Sequence, residues 1–232
     1  MVKHRAKGFS LVELLTATLL AVSLSVAATE WYVSVVSMLR AQHFIIENNE
    51  VGSFVIRYLE KSISKAGAGL VDQHPLNFEG DGLIIRYKNN LPGVGEVRNC
   101  LANRVEEDVI VDRFSIELYE FGGYELKCSS SGLTDWVSEG VKAMSFEVGV
   151  DQGRFTNQQF DYSTKDGAVD GYVSKEAFNS LTMTPLAIKL TVTTYRPLLY
   201  SPFHKGYWLN ERDSENAYVT QSFTTTILLP NS

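Results

Sequence analysis

The sequence predicts an α+β fold in which a long N-terminal helix is packed on an antiparallel β-sheet domain. Three observations predict it. An apolar stretch runs from Phe9 to about Val36 without one Gly or Pro. Beyond it, apolar residues recur at spacings of three and four as far as Ala66. From Pro75 onward the period drops to two in several segments rich in β-branched and aromatic residues. One helix followed by runs of strands is the pattern of an α+β domain with an antiparallel sheet.

The N-terminus comes first. Lys3, His4, Arg5 and Lys7 form a basic patch with no acid before Glu13, in a chain whose net charge is −6. A basic start followed by an apolar run matches the first two parts of a secretory signal, but no small-residue cleavage site closes the run. As a helix, Phe9 to Val36 is roughly 40 Å long, enough to cross a hydrocarbon core of about 30 Å. Trp31 and Tyr32 fall where an interfacial aromatic belt would sit, and the basic start keeps that end cytoplasmic. Glu30 and everything after it then face outward. A plain single-pass anchor is the simplest reading. Glu13 argues for more, because a carboxylate at bilayer depth needs a paired cation. Cleavage between Gly8 and Phe9 would supply one, an α-amine one helical turn away.

Past Val36, Phe44, Ile45, Val51, Phe54, Val55, Tyr58, Leu59, Ile63 and Ala66 form a stripe, with Glu47, Asn48, Glu50, Arg57, Glu60 and Lys61 tending to the other face. That is a helix laid on a core. Gly67-Ala68-Gly69 supplies the stop. Gly52, which costs about 1 kcal/mol against Ala in a helix, is expected to serve close packing rather than a hinge.

In the remainder, Leu83–Tyr87, Val109–Phe121, Tyr124–Cys128, Val141–Val150, Ala187–Tyr195 and Ala217–Leu229 read as strands. Gly122-Gly123 is expected to close a two-residue hairpin. A short helix is expected at Lys175–Leu181. The stretch from Tyr195 through Trp208 reads as a long aromatic loop, suited either to a protein contact or to covering the domain's own core. Cys100 and Cys128 read as one disulfide in an oxidising compartment, with two free thiols as the alternative. Paired, they would close a loop of about 28 residues worth on the order of 3–4 kcal/mol.

Composition excludes some functions. An acidic chain without a basic stripe is not built to track nucleic acid. Two cysteines and four histidines, at 4, 43, 74 and 204, are a poor inventory for a zinc site. Asp151, Asp161, Asp166 and Asp170 tempt a calcium reading, but their spacing misses the EF-hand pattern. Asp161, Asp166 and Asp170 therefore stay weak candidates in what reads as a solvated loop. No nucleophile elbow, phosphate loop or dinucleotide fingerprint occurs. The expectation is a non-enzyme with no cofactor.

Gly8-Phe9-Ser10-Leu11-Val12-Glu13-Leu14 after a short basic leader resembles the type III signal of type IV pilins and type II secretion pseudopilins. The resemblance implies cleavage after Gly8 by prepilin peptidase, N-methylation of Phe9, and a role for Glu13 in recruiting and registering subunits in a helical filament. It implies borders at 1–8 for the leader, 9–36 for the membrane and filament-core helix, 37–66 for its amphipathic continuation and 67–232 for a periplasmic β-rich domain.

The body narrows the likeness. Arg40-Ala41-Gln42, the segment Arg57 through Gly67, and Lys165 through Val173 followed by Ala187-Ile188-Lys189-Leu190 resemble the PilW family of minor pilins, as does the cysteine pair. Gly69-Leu70 departs from that family, where an aromatic and then a cysteine often follow. The resemblance implies a minor pilin of a tip or priming complex that promotes type IV pilus assembly, on which twitching, adhesion and DNA uptake depend indirectly. Its partners would be other minor pilins, the major pilin, prepilin peptidase, the inner membrane and assembly platform, and a tip adhesin. Its location would be the inner membrane before assembly and the pilus afterwards. The alternatives are a J-type minor pseudopilin of a type II secretion system and a membrane-anchored envelope binding protein or enzyme.

Overall fold

The computed structural model describes residues 10–70, 75–91, 95–118, 123–151, 154–156, 159–161, 167–178, 184–197 and 218–229. The chain divides into two compact units, Met1–Ile45 and Ile46–Ser232, and helix α1 (Leu11–Ile63) contributes to both.

The described part of the first unit is almost entirely helix. Its large side chains are exposed all round: Leu11 is 74 % exposed and Trp31 71 %. Helix 11–45 is about 50 Å long at 1.5 Å per residue, and α1 is long and apolar enough to cross a membrane.

The second unit begins with the rest of α1, whose inward stripe is Asn48, Gly52, Val55, Leu59, Ser62 and Ile63. The stripe is rotated slightly from the expected one. Phe54 and Ile45 are exposed, while Asn48 and Ser62 are inside. Helix 46–63 packs through Gly52, which is buried because the ring of Phe223 lies where a Cβ would go. Close packing, not a hinge, explains this glycine. α1 ends at Ile63 in a run of turns; Gly67 and Gly69 take φ of 79° and 70°, and the Gly67 N–H donates to the Arg86 carbonyl.

The strands are β1 (Leu76–Glu79), β2 (Gly82–Lys88), β3 (Asn90–Leu91), β4 (Gly95–Glu96), β5 (Val109–Leu118), β6 (Tyr124–Ser130), β7 (Leu133–Glu139), β8 (Val141–Asp151), β9 (Arg154–Thr156), β10 (Gln159–Asp161), β11 (Gly171–Ser174), β12 (Thr184–Pro197) and β13 (Tyr218–Leu228). A five-stranded sheet has the order β1-β2-β5-β6-β7, and a four-stranded sheet the order β11-β8-β12-β13. Every pairing is antiparallel, and β3–β4 and β9–β10 are small ribbons. The inner faces of both sheets and helix 46–63 share one core: Val55, Leu59 and Ile63 cluster with Ile85, Tyr87, Phe114, Leu126, Phe146 and Leu190. The α+β class read from the sequence is the class observed.

Several local expectations are corrected. The β5–β6 register sets Leu118 opposite Tyr124, which leaves five residues between the paired ends rather than the two of the hairpin expected at Gly122-Gly123; 119–122 lie outside the described residues. The two-residue hairpin lies instead between β6 and β7, where Ser130 faces Leu133 across Ser131 and Gly132 with φ of 50° and 77°. Positive φ at both central residues gives a type I′ turn, whose twist matches the flanking strands. Lys175–Ala177 is a turn rather than a helix start: the N–H groups of Ala177 and Phe178 both donate to the Ser174 carbonyl. Residues 179–183 lie outside the described residues. Tyr195–Pro197 continue β12 instead of opening the loop, and 198–217 lie outside the described residues.

Candidate functional site

Gly8 and Phe9 lie outside the described residues. Glu13 stands in the first turn of α1, where a carboxylate suits the positive end of the helix dipole. The first helical bond runs from the Leu14 N–H to the Ser10 carbonyl at 3.1 Å. No Lys, Arg or His occurs between Glu13 and Arg40, so helix 11–39 holds no cation for this carboxylate. The hydroxyls behave differently. Thr16, Thr18 and Ser23 donate to the carbonyls of Glu13, Leu15 and Leu20, and Ser25 and Thr29 to those of Ala21 and Ser25, at 2.8–3.0 Å. Each is satisfied within its own helix, as an apolar surrounding requires. Glu13, like Glu30 farther along, is thus a charge with no cation on its own helix before Arg40, and it is the one that stands in the first turn.

A second polar constellation lies inside the body. Cys100 and Cys128 form a disulfide with Cα atoms 6.4 Å apart, which ties the segment before β5 to the middle of β6. That segment is also held by backbone acceptors. The Tyr58 hydroxyl donates to the Cys100 carbonyl at 2.6 Å, and Lys65 Nζ to the Arg98 carbonyl at 3.1 Å. Asn99 and Asn103 close a turn, with Asn99 Oδ1 accepting from the Asn103 N–H. Lys65 Nζ also lies 5.4 Å from the centroid of the Tyr87 ring, a cation–π distance.

Asp112 stands at the centre. The two-residue period of β5 puts it on the inward face between Ile110 and Phe114, and it is 0 % exposed. Its Oδ2 accepts from the Tyr87 hydroxyl at 2.7 Å. Oδ1 has no hydrogen-bond partner among the described residues, and neither does the hydroxyl of Ser130, the residue facing Asp112 across β6. Burial, and then the Asp112 charge, push the Tyr58 hydroxyl up to about 12. Tyr87 is pushed up by burial first, then by the charge and hydrogen bond of Asp112. Burial lowers Lys65, against the pull of Asp112. The sequence reading missed Asp112, although extending the alternation Phe114–Ile116–Leu118 back by one period places it inside.

The calcium candidates are not brought together among the described residues. The side chains of Asp161 and Asp166 lie outside them. The Asp170 N–H donates to the Val150 carbonyl. Asp151, which is buried, accepts the Gly167 N–H on Oδ2 at 2.9 Å, so this carboxylate serves as a turn acceptor.

No protein-family model and no curated protein sequence matches the chain. One solved structure, a type IV-like pilin from Thermus thermophilus, aligns over 81 % of this chain and 96 % of its own, with 13 % identity and a TM-score of 0.44. At that likeness, the α+β assignment stands on this chain's own helix and strands.

Proposed function

We propose that the chain is a type IV pilin-like assembly subunit, and within that class a minor pilin of the PilW type. The observation that carries the reading is the carboxylate Glu13, with no ion-pair partner among the described residues, at the head of a helix that is apolar and exposed, five positions after Gly8. Exposed apolar surface of that extent needs lipid or neighbouring helices. Cleavage after Gly8 creates an α-amine at Phe9, and the amine of this or an adjacent subunit pairs with Glu13. In this reading the helix is held in the inner membrane before assembly and among other pilins afterwards, and the β-rich body is periplasmic.

Glu13→Ala tests the role directly. Processing, membrane insertion and the melting temperature of the body should be unchanged, while incorporation into filaments and piliation fall. Normal piliation in that variant would defeat the reading. Gly8→Val should leave the leader attached, and a mature terminus at Phe9 in that variant would remove the peptidase assignment.

A further inference from the structure

We propose that the Cys100–Cys128 pair has a second chemical state: as a dithiol, together with Asp112, it binds one thiophilic divalent cation of the zinc type. The two Sγ atoms and a carboxylate oxygen of Asp112 all lie within 4.8 Å of one another. Cys100 is 8 % exposed, and Cys128 and Asp112 are 0 % exposed. Tetrahedral zinc with sulfur at ~2.3 Å and oxygen at ~2.0–2.2 Å separates its ligand atoms by roughly 3.5–4 Å, so the two sulfurs, bonded to each other in the disulfide, move apart on reduction to admit the cation.

The independent observation is the unsatisfied polarity. A buried carboxylate oxygen without a partner is costly, and Asp112 Oδ1 is one among the described residues; the hydroxyl of Ser130, the residue that faces Asp112 in the β5–β6 register, is another unpartnered polar group. The other oxygen, Oδ2, is held by the Tyr87 hydroxyl. That is the outer hydrogen bond which orients a metal-binding carboxylate. Three protein ligands leave a fourth position for water or for Ser130. Two cysteines alone fell short of a zinc inventory; the pairing of β5 with β6 adds the third ligand.

The two states exclude each other. Binding replaces two thiol protons by the cation. Oxidation by a disulfide-bearing compound removes two electrons, joins Cys100 to Cys128, gives two molecules of the oxidant's thiol after uptake of two protons, and expels the cation. The cation would fasten the segment around Cys100 to β6 before the disulfide does.

The test uses the full chain in detergent micelles, reduced with a phosphine and titrated anaerobically with cobalt(II). One equivalent should give thiolate-to-cobalt charge-transfer and tetrahedral ligand-field bands that zinc abolishes, and the oxidised chain should give neither. Asp112→Asn should weaken binding about tenfold or more. Independently of any variant, equimolar zinc should raise the melting temperature of the reduced wild type. No charge-transfer band, no zinc-dependent rise, or an Asp112→Asn affinity equal to wild type would each overturn the proposal.

Discussion

Helix 11–45 and the body from Ile46 onward solve the problem of polar and apolar groups in opposite ways. The helix leaves Leu11, Leu19, Leu24 and Trp31 outside and folds the hydroxyls of Thr16, Thr18, Ser23, Ser25 and Thr29 back on its own carbonyls. Its one charge near the start is left for something else to neutralise. The body hides its apolar groups in one core and even buries a carboxylate, Asp112, which it surrounds with Tyr87, Ser130 and a disulfide. On the proposed reading, the first region is completed by lipid or other subunits. The second supplies its own stability. Substitutions should therefore separate cleanly into those that unfold the body and those that only stop assembly.

The largest effect is expected at Leu59, buried between helix and sheets. Leu59→Ala should cost about 2–5 kcal/mol in denaturant unfolding of the body. The comparison predicts that Leu19→Ala, an equal truncation on the outer helix, changes the same transition by less than ~0.5 kcal/mol. Equal costs would break it. Next comes the disulfide. Reducing it, or replacing both cysteines by serine in a metal-free sample, should lower stability by about 3–4 kcal/mol through the freed loop, measured as a shift in the unfolding midpoint.

A smaller effect carries a pH signature. Tyr58 keeps its proton to about pH 12 in the folded chain, against an ordinary value of 10.0. Between those values the folded state binds more protons than the unfolded one. Its contribution is complete below pH 10 and is lost as pH rises toward 12. Tyr58→Phe should cost about 1 kcal/mol at neutral pH for the lost bond to the Cys100 carbonyl. It should also make unfolding less steeply dependent on pH between 10 and 12. An unchanged alkaline slope would show that Tyr58 is open to water.

The legible parts of the sequence were those with a strong period. The helix and strands β2, β5, β8, β12 and β13 follow directly from apolar spacing, although the helix ends at Ile63, a few residues before the expected end near Ala66. β7 did not, because Leu133, Thr134, Asp135 and Trp136 are all exposed on a sheet edge and no alternation marks them. The tight turn was misplaced because Gly122-Gly123 is the stronger local signal, whereas Ser131 adopts positive φ only within the register of β6 and β7. Asp112 was missed for a related reason. A strand shows that a residue points inward, but the hydroxyl that bonds this buried carboxylate comes from Tyr87 on β2, 25 positions away in sequence. Glu13 was legible because its anomaly is local: one charge in an apolar run.

The central claim is that this chain is a processed assembly subunit whose helix is completed by other subunits. Intact-mass and N-terminal sequencing of the mature protein from membranes and sheared filaments test it most directly. The account predicts a chain that begins at methylated Phe9, with residues 1–8 absent in both fractions. A mature protein that still carries Met1–Gly8, confined to the membrane fraction, would contradict it.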